Sequence, residues 1–168
     1  MKKFLVVLFI TGMTAFMIGC GEENKSIDLS EVFEEIKEEI AADYGGDLQG
    51  LVEIDLTENE EDPLQDMILD ETGLADEEMI ENGYILASAM NVNSDAIILL
   101  EAKEEDDISS LEEGLEEYLE FQHGVWEIYL PDQFEKVENT IIESKGKYII
   151  YITSENPENI KEIFEDAF

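Results

Sequence analysis

The stretch Tyr84–Ala102, with the sequence YILASAMNVNSDAIILLEA, decides the fold of this 168-residue chain. Two almost uninterrupted apolar runs of strand length, residues 84–90 and 96–102, lie on either side of Asn-Val-Asn-Ser-Asp, a composition typical of a turn. Continuous apolar runs are characteristic of strands that are buried on both faces of a sheet. The pattern therefore predicts a β-hairpin at residues 84–102, in the centre of an antiparallel sheet.

A second hairpin is predicted at residues 140–153. Its two apolar halves are separated by Ser144-Lys145-Gly146, where glycine can adopt the positive φ that a tight turn requires. Residues 49–56 alternate weakly between apolar and polar side chains and are a further candidate strand. The two hairpins predict an antiparallel sheet of about four strands.

Amphipathic helices are expected to pack against this sheet. Apolar side chains recur at helical intervals in three segments, residues 28–43, 108–121 and 157–167. Asp28 and the pair Asn156-Pro157 are suited to the start of a helix, and shorter helices are expected at residues 64–72 and from Pro131. Hairpins interspersed with helices predict a single compact α+β domain at residues 28–168.

The first twenty residues have the organisation of a bacterial export signal that ends in a lipidation site. Two lysines precede an apolar run at residues 4–18, which is shorter than the roughly 20 residues needed to span a bilayer. The sequence Met17-Ile18-Gly19-Cys20 resembles the bacterial lipobox, and Cys20 is the only cysteine. We therefore expect residues 1–19 to be removed as a lipoprotein signal peptide and Cys20 to be acylated.

Residues 20–27 are then expected to form a short lipidated tether. The seven residues that follow Cys20 reach at most about 25 Å when extended. Two or more acyl chains on one protein anchor it stably. The expected location is thus the extracytoplasmic face of the bacterial plasma membrane, with the lipid anchor as the membrane contact.

The charge of the chain excludes several classes of partner. All nine basic residues are lysine, and 44 acidic residues give a formal net charge of -35, which becomes -37 when Lys2 and Lys3 are lost with the leader. Such a field repels nucleic acid and anionic lipid head groups. We expect no nucleic-acid binding, and a solvated acidic surface whose self-repulsion is screened by salt.

The order of segments in the second half of the chain carries a family resemblance. These segments are the apolar run Ala96–Lys103, an acidic helix, Tyr129–Gln133 with Val137, Lys145–Tyr148 and a last helix. The order resembles that of a Gram-positive lipoprotein family catalogued as a domain of unknown function, and residues 64–76 share the resemblance. It implies an exported lipoprotein with a compact α+β domain, no assigned activity and no catalytic residues to transfer.

Motifs of known catalytic chemistry are missing from the sequence. His123 is the only histidine, Cys20 is the only cysteine, and no Gly-x-Ser-x-Gly element occurs, so neither a histidine-cluster metal site nor a serine-hydrolase elbow is indicated. We expect no catalytic residue, no metal ligand and no cofactor. His123 is expected to face solvent, or to contact a turn, in a loop at residues 123–126.

Two other sets of residues have alternative interpretations. The acidic runs Glu58–Asp62 and Glu104–Asp107 offer oxygen ligands to calcium, but the spaced Asp-x-Asp-x-Asp-Gly pattern is missing and solvated loops are favoured. Phe121, Trp126 and Tyr129 either line a ligand groove or pack in and around the core, and packing is favoured.

The function favoured by these observations is a non-enzymatic binding or interaction module outside the cell, whose ligand or protein partner the sequence does not identify. The most informative structural feature for such a module would be one concave, apolar-lined pocket on the face away from Ile27. Two alternatives stay open. A cell-envelope hydrolase would place a buried carboxylate or His123 in a concave pocket, and a calcium-responsive surface domain would bind calcium saturably.

Overall fold

A computed structural model describes residues 26–48, 50–57, 63–74 and 77–168 of the chain. Within these ranges the chain forms five strands and five α-helices. The strands are β1 (Leu51–Asp55), β2 (Ile80–Ser88), β3 (Ala96–Ala102), β4 (Ile141–Lys145) and β5 (Tyr148–Thr153). The helices are α1 (Leu29–Asp43), α2 (Pro63–Thr72), α3 (Ile108–Trp126), α4 (Pro131–Glu138) and α5 (Pro157–Asp166).

The strands form one antiparallel sheet in the order β1-β2-β3-β5-β4. β3 lies in the centre, where Leu99 pairs with Tyr84 of β2 on one side and with Ile150 of β5 on the other. The predicted α+β fold and the central hairpin are therefore confirmed. The sheet has five strands rather than about four because the weakly alternating segment forms β1, which pairs with β2 at the edge.

Helices cover both faces of the sheet, which explains the continuous apolar sequence of β3. Ile98 and Leu100 pack in a cluster with residues of α2 and α3 on one face. Ile97 and Leu99 pack in a second cluster with residues of α1 and α5 on the opposite face. Since successive side chains of a strand point to opposite faces, a strand between two helical layers must be apolar at nearly every position.

The second hairpin and the helix starts agree with the sequence in most respects. Gly146 has a φ of 60° in the tight turn between β4 and β5. The Asp28 carboxylate caps α1 by accepting hydrogen bonds from the backbone N–H groups of Ser30 (3.2 Å) and Glu31 (3.3 Å). Asn156 occupies the N-cap position of α5, but its side chain donates to Asp43 Oδ1 instead of capping the helix.

α3 extends to Trp126, beyond its predicted end at residue 121. The prediction of a loop at residues 123–126 is wrong, because His123, Gly124, Val125 and Trp126 complete the last turns of this helix. A glycine inside a helix lowers the stability of the helix by about 1 kcal/mol relative to alanine. Burial of the Trp126 ring offsets this cost, and its Nε1 donates a 2.8 Å hydrogen bond to Gln122 Oε1 one turn earlier.

The amino-terminal part of the described chain lies on the α1–α5 side of the sheet. The Ile27 side chain packs against the cluster formed with α1 and α5, and its N–H donates to the Tyr148 hydroxyl at 3.4 Å. The predicted signal peptide at residues 1–19, the predicted lipidation site Cys20 and residues 21–25 lie outside the described residues. Across the described ranges, no helix combines the length and the apolar character needed to cross a membrane.

Candidate functional site

A concave surface lies between α2 and α3 and continues to the turn that joins β2 to β3. It consists of two adjoining cavities of about 540 Å³ and about 290 Å³, which share Glu71, Tyr118 and Phe121 in their walls. We call this surface the α2–α3 groove. Its principal lining side chains are Met67, Met90, Tyr118, Phe121, Val125 and Trp126.

The α2–α3 groove gathers apolar side chains that remain open to solvent. Four of the eight exposed large apolar residues in the described ranges line it: Phe121 is 53% exposed, Met90 49%, Met67 48% and Val125 38%. Single exposed apolar residues are normal on a protein surface, whereas a contiguous group in a concavity marks an interaction site.

Acidic side chains border the α2 end of the groove. Asp70 and Glu71 come from α2 and Glu117 comes from α3. Among the described residues that line the two cavities, none is a lysine. The groove therefore combines an apolar interior with a negatively charged rim.

At the other end of the groove, the Met90 methyl group packs close to the backbone of Gly50. Gly50 has a φ of 89°, and a Cβ atom at this position would lie 2.5 Å from Met90 Cε. The Gly50 carbonyl also accepts a 3.0 Å hydrogen bond from the Ala89 N–H. Glycine at position 50 thus permits the positive φ and, because it has no Cβ atom, leaves room for the methionine methyl group.

A buried polar cluster fixes the β2–β3 turn, whose residues form one wall of the groove. The Asp95 carboxylate, 4% exposed, accepts hydrogen bonds from the Tyr44 hydroxyl, from Asn93 Nδ2 (3.3 Å) and from Lys136 Nζ (2.8 Å). Burial, together with the hydrogen bond to Asp95, raises the pKa of Tyr44. Both carboxylate oxygens accept hydrogen bonds and one of them forms an ion pair with Lys136, so the cost of burying this polar group is compensated.

α4 contacts the same turn a second time through Gln133. The Ser94 N–H donates a 2.9 Å hydrogen bond to Gln133 Oε1, and the Ser94 hydroxyl donates to the Gln133 carbonyl at 3.2 Å. Residues 93–95 are therefore held by α4 at two neighbouring points and by the end of α1 at a third. The turn forms one wall of the groove.

Sequence reasoning missed Asp95 and Lys136 as a pair. They are 41 residues apart and belong to no motif with a fixed spacing. The only sequence signal is the position of Asp95 between a turn and the first residue of an apolar strand, where an ionised side chain must find a partner.

The residues that the sequence singled out do not come together as a catalytic site. His123 lies within α3, half-buried, with its ring edge-on to Phe134 at a centroid distance of 5.6 Å. Phe121 and Trp126 line the α2–α3 groove, the first exposed and the second buried. Tyr129 lies beyond the end of α3, with its ring 6.0 Å from that of Trp126, and is not part of the groove lining.

The two acidic runs differ in what the structure shows of them. Residues 105–107 form a 3₁₀ turn before α3, in which Asp107 Oδ2 accepts a 3.2 Å hydrogen bond from the Glu104 N–H. Glu58–Asp62 lies outside the described residues. In the part of the chain that the structure describes, no three Asp, Glu, His or Cys side chains are grouped so that they could hold a metal ion.

A second cleft, of about 420 Å³, lies where α4 faces the start of α5. Its walls are charged and polar, with Lys136, Asn139 and Ser154 among them. The Lys136 ammonium is already engaged by Asp95. This cleft lacks the exposed apolar side chains that distinguish the α2–α3 groove.

A family model described as a domain of unknown function, DUF4358, matches residues 52–154, more than half of the chain. The chain belongs to the DUF4358 family. The expectation of a family without an assigned function is thus confirmed. The comparison with curated proteins and with solved structures gave no match.

The DUF4358 match covers the part of the chain that builds the groove. It begins within β1 and ends directly after β5, so that it includes almost the whole sheet together with α2, α3 and α4. Met67, Met90 and Phe121 lie inside the matched region. α1 and α5, which cover the opposite face of the sheet, lie outside it.

Proposed function

We propose that this DUF4358 protein is a non-enzymatic binding module that uses the α2–α3 groove to hold a partner outside the cell. We propose further that acylated Cys20 anchors it to the extracytoplasmic face of a Gram-positive plasma membrane. The observation that carries the binding role is the concave group of exposed apolar side chains, Met67, Met90, Phe121 and Val125.

The position of the groove in the fold supports this proposal. Ile27 packs in the layer of α1 and α5, and the groove belongs to the layer of α2 and α3 on the other face of the sheet. A tether of residues 20–27 would leave the domain on the α1–α5 side. The groove would then open away from the attachment point, where an extracytoplasmic partner has access to it.

The chemistry of the groove favours binding over hydrolysis. A carboxyl that acts as a general acid needs an environment that favours its protonated form. Asp95, the buried carboxylate beside the groove, instead accepts three hydrogen bonds and is paired with Lys136. The oxygens of this carboxylate are thus taken up by structural contacts to the end of α1, to Asn93 and to α4.

The binding role is tested by a ligand and partner panel with thermal shift as the readout, on the full chain as isolated from cells. We expect a ligand that raises Tm for the wild type and for Ile128→Ser, an exposed position outside the groove. The same ligand should not raise Tm for Phe121→Ser. Reproducible turnover of a cell-wall or peptide substrate would overturn the non-enzymatic role.

The anchor is tested by membrane fractionation and acyl labelling. Cys20→Ser should release the protein from the membrane fraction and abolish acyl labelling. If Cys20→Ser stays in the membrane fraction, an uncleaved apolar segment at residues 4–18 holds the protein there instead of a lipid.

A further inference from the structure

We infer that the occupant of the α2–α3 groove is a cationic amphipathic helix of a partner protein. This inference rests on the proposed binding role of the groove and adds the chemistry and the shape of the partner. Three properties of the groove carry it: its path along α3, its charged rim and its methionines.

The groove follows one helix for several turns. Along α3 its walls include Gly114, Tyr118, Phe121 and Val125, which are spaced by three or four residues and so lie on one face of the helix. At a rise of 1.5 Å per residue this stripe is about 17 Å long, or about three helical turns. A partner helix of similar length can place apolar side chains at i, i+3 or i+4, and i+7 along it.

Gly114 widens the groove at its far end. No described heavy atom lies within 4 Å of where a Cβ atom of residue 114 would be, apart from its own helix and chain neighbours. The apolar contacts are concentrated at the other end, around Phe121, Val125 and Met90. A partner helix would therefore anchor near the β2–β3 turn and extend toward Gly114.

The carboxylates at the rim of the groove favour positively charged side chains on the polar face of the partner helix. Asp70, Glu71 and Glu117 border the groove, and the whole chain carries a net charge of -35. Lysine or arginine side chains on the partner would lie beside these carboxylates once its apolar face is docked. A second copy of this chain, an acidic segment or an anionic lipid surface would instead be repelled.

The two methionines allow the groove to accept more than one apolar sequence. Met67 contributes an unbranched, polarisable side chain from α2, and Met90 contributes one from the β2–β3 turn. Methionine-lined surfaces repack around different partners because these side chains have many accessible rotamers. We expect the groove to select for positive charge and amphipathic spacing more strongly than for any single apolar residue.

Trp126 provides a direct probe, because it is the only tryptophan in the chain and it lines the groove. The full chain as isolated from cells, in a non-ionic detergent, is titrated with three amphipathic peptides of about 14 residues, or about four helical turns. The peptides share one leucine face and differ in the polar face, which is lysine, glutamine or glutamate. Partition of each peptide into empty micelles is measured separately.

The lysine peptide should change the Trp126 fluorescence saturably and bind about tenfold or more tightly than the glutamine peptide. The glutamate peptide should not bind. Raising NaCl from about 0.05 M to about 0.5 M should lower the affinity of the lysine peptide for the groove, since salt screens the rim charges. The double variant Glu71→Gln with Glu117→Gln should reduce the preference for lysine, whereas Glu158→Gln with Glu162→Gln on α5 should leave it unchanged.

Other outcomes overturn the inference in distinguishable ways. Equal binding of the lysine and glutamine peptides, or tighter binding of the glutamate peptide, shows that the groove binds helices without selecting cationic ones. The proposed binding role then stands if Phe121→Ser abolishes that binding. If none of the three peptides perturbs Trp126 and none raises Tm, an amphipathic helix is not the occupant, and the ligand panel alone decides whether the groove binds anything.

Discussion

The Asp95 carboxylate and the Lys136 ammonium form a 2.8 Å ion pair that joins the β2–β3 turn to α4. Both side chains are nearly buried, with 4% of Asp95 and 13% of Lys136 exposed to solvent. The hydroxyl of Tyr44, at the end of α1, donates a hydrogen bond to the same carboxylate. Three separate parts of the chain thus meet at Asp95, in the wall of the groove that we propose as the binding site.

Lys136→Met should destabilise the domain by about 3 kcal/mol, because removing one partner of a buried ion pair leaves the other charge without compensation. Urea unfolding measures the loss. The matched control is Lys161→Met. Lys161 Nζ lies 3.5 Å from Glu143 Oε2 and 3.6 Å from Glu165 Oε1, and these side chains are more exposed than those of Asp95 and Lys136. That substitution should cost less than about 1 kcal/mol. Equal losses for the two variants would show that the Asp95 pair has no special structural role.

Gly50→Ala and Gly46→Ala separate backbone strain from the shape of the groove. Both glycines have positive φ, at 89° and 99°, so each substitution should cost about 1–2 kcal/mol of stability. Only the Cβ at position 50 meets Met90, at 2.5 Å, whereas no heavy atom lies within 4 Å at position 46 apart from its chain neighbours.

Gly50→Ala should therefore also displace Met90 and weaken ligand binding in the groove, and Gly46→Ala should not. Tm and ligand affinity are measured for both. A loss of affinity in Gly46→Ala as large as that in Gly50→Ala would indicate that Met90 is not part of the binding surface.

The stability of the domain should fall as the pH rises above about 10, where unfolded tyrosines ionise. Burial raises the pKa of Tyr118, which lines the groove, and of Tyr151, and the ring centroids of the two residues are 5.4 Å apart. In the folded state both hydroxyls therefore keep their protons to higher pH than in the unfolded chain.

The stabilisation is fully present below about pH 10 and is lost as the pH rises toward the folded pKa values. Urea midpoints at several alkaline pH values measure the slope, which should be smaller for Tyr118→Phe than for the wild type. A wild-type stability that stays constant well above pH 10 would contradict the burial of these hydroxyls.

Added salt should stabilise the domain, because a net charge of -35 makes the folded state repel itself. The Debye length falls from about 10 Å at 0.1 M to about 3 Å at 1 M salt, so Tm should increase smoothly with NaCl. Calcium and magnesium chloride at equal ionic strength should have equal effects. A saturable rise in Tm that only calcium produces would favour the calcium-responsive alternative.

The central hairpin was predictable because its position between two helical layers requires apolar side chains at almost every residue. β1 gave a weaker signal, since it lies at the sheet edge and Ile54 is its one buried residue. Gly124 made the predicted helix end too early, because glycine has a low helix propensity. In the structure the burial of Trp126 outweighs this propensity, and α3 continues to Trp126. Tertiary packing decided that boundary.

The groove was only partly predictable. Phe121 and Trp126 attract notice as aromatic residues near one another in sequence, but the spacing does not show that one is exposed and the other is buried. Met67 and Met90 reach the same concavity from α2 and from the β2–β3 turn, and no local pattern connects those segments. The ion pair of Asp95 with Lys136 likewise depends on the arrangement of distant elements.

The central claim, that the groove is occupied by a partner outside the cell, is tested most directly by hydroxyl-radical footprinting of the protein on intact cells and after purification. Met67 and Met90 are exposed in the groove, and Tyr129 is exposed outside it. We predict that both methionines are oxidised several times more slowly on cells than in the purified chain, while Tyr129 reacts equally in the two. Equal oxidation of Met67 and Met90 in both preparations would contradict a bound partner in the α2–α3 groove.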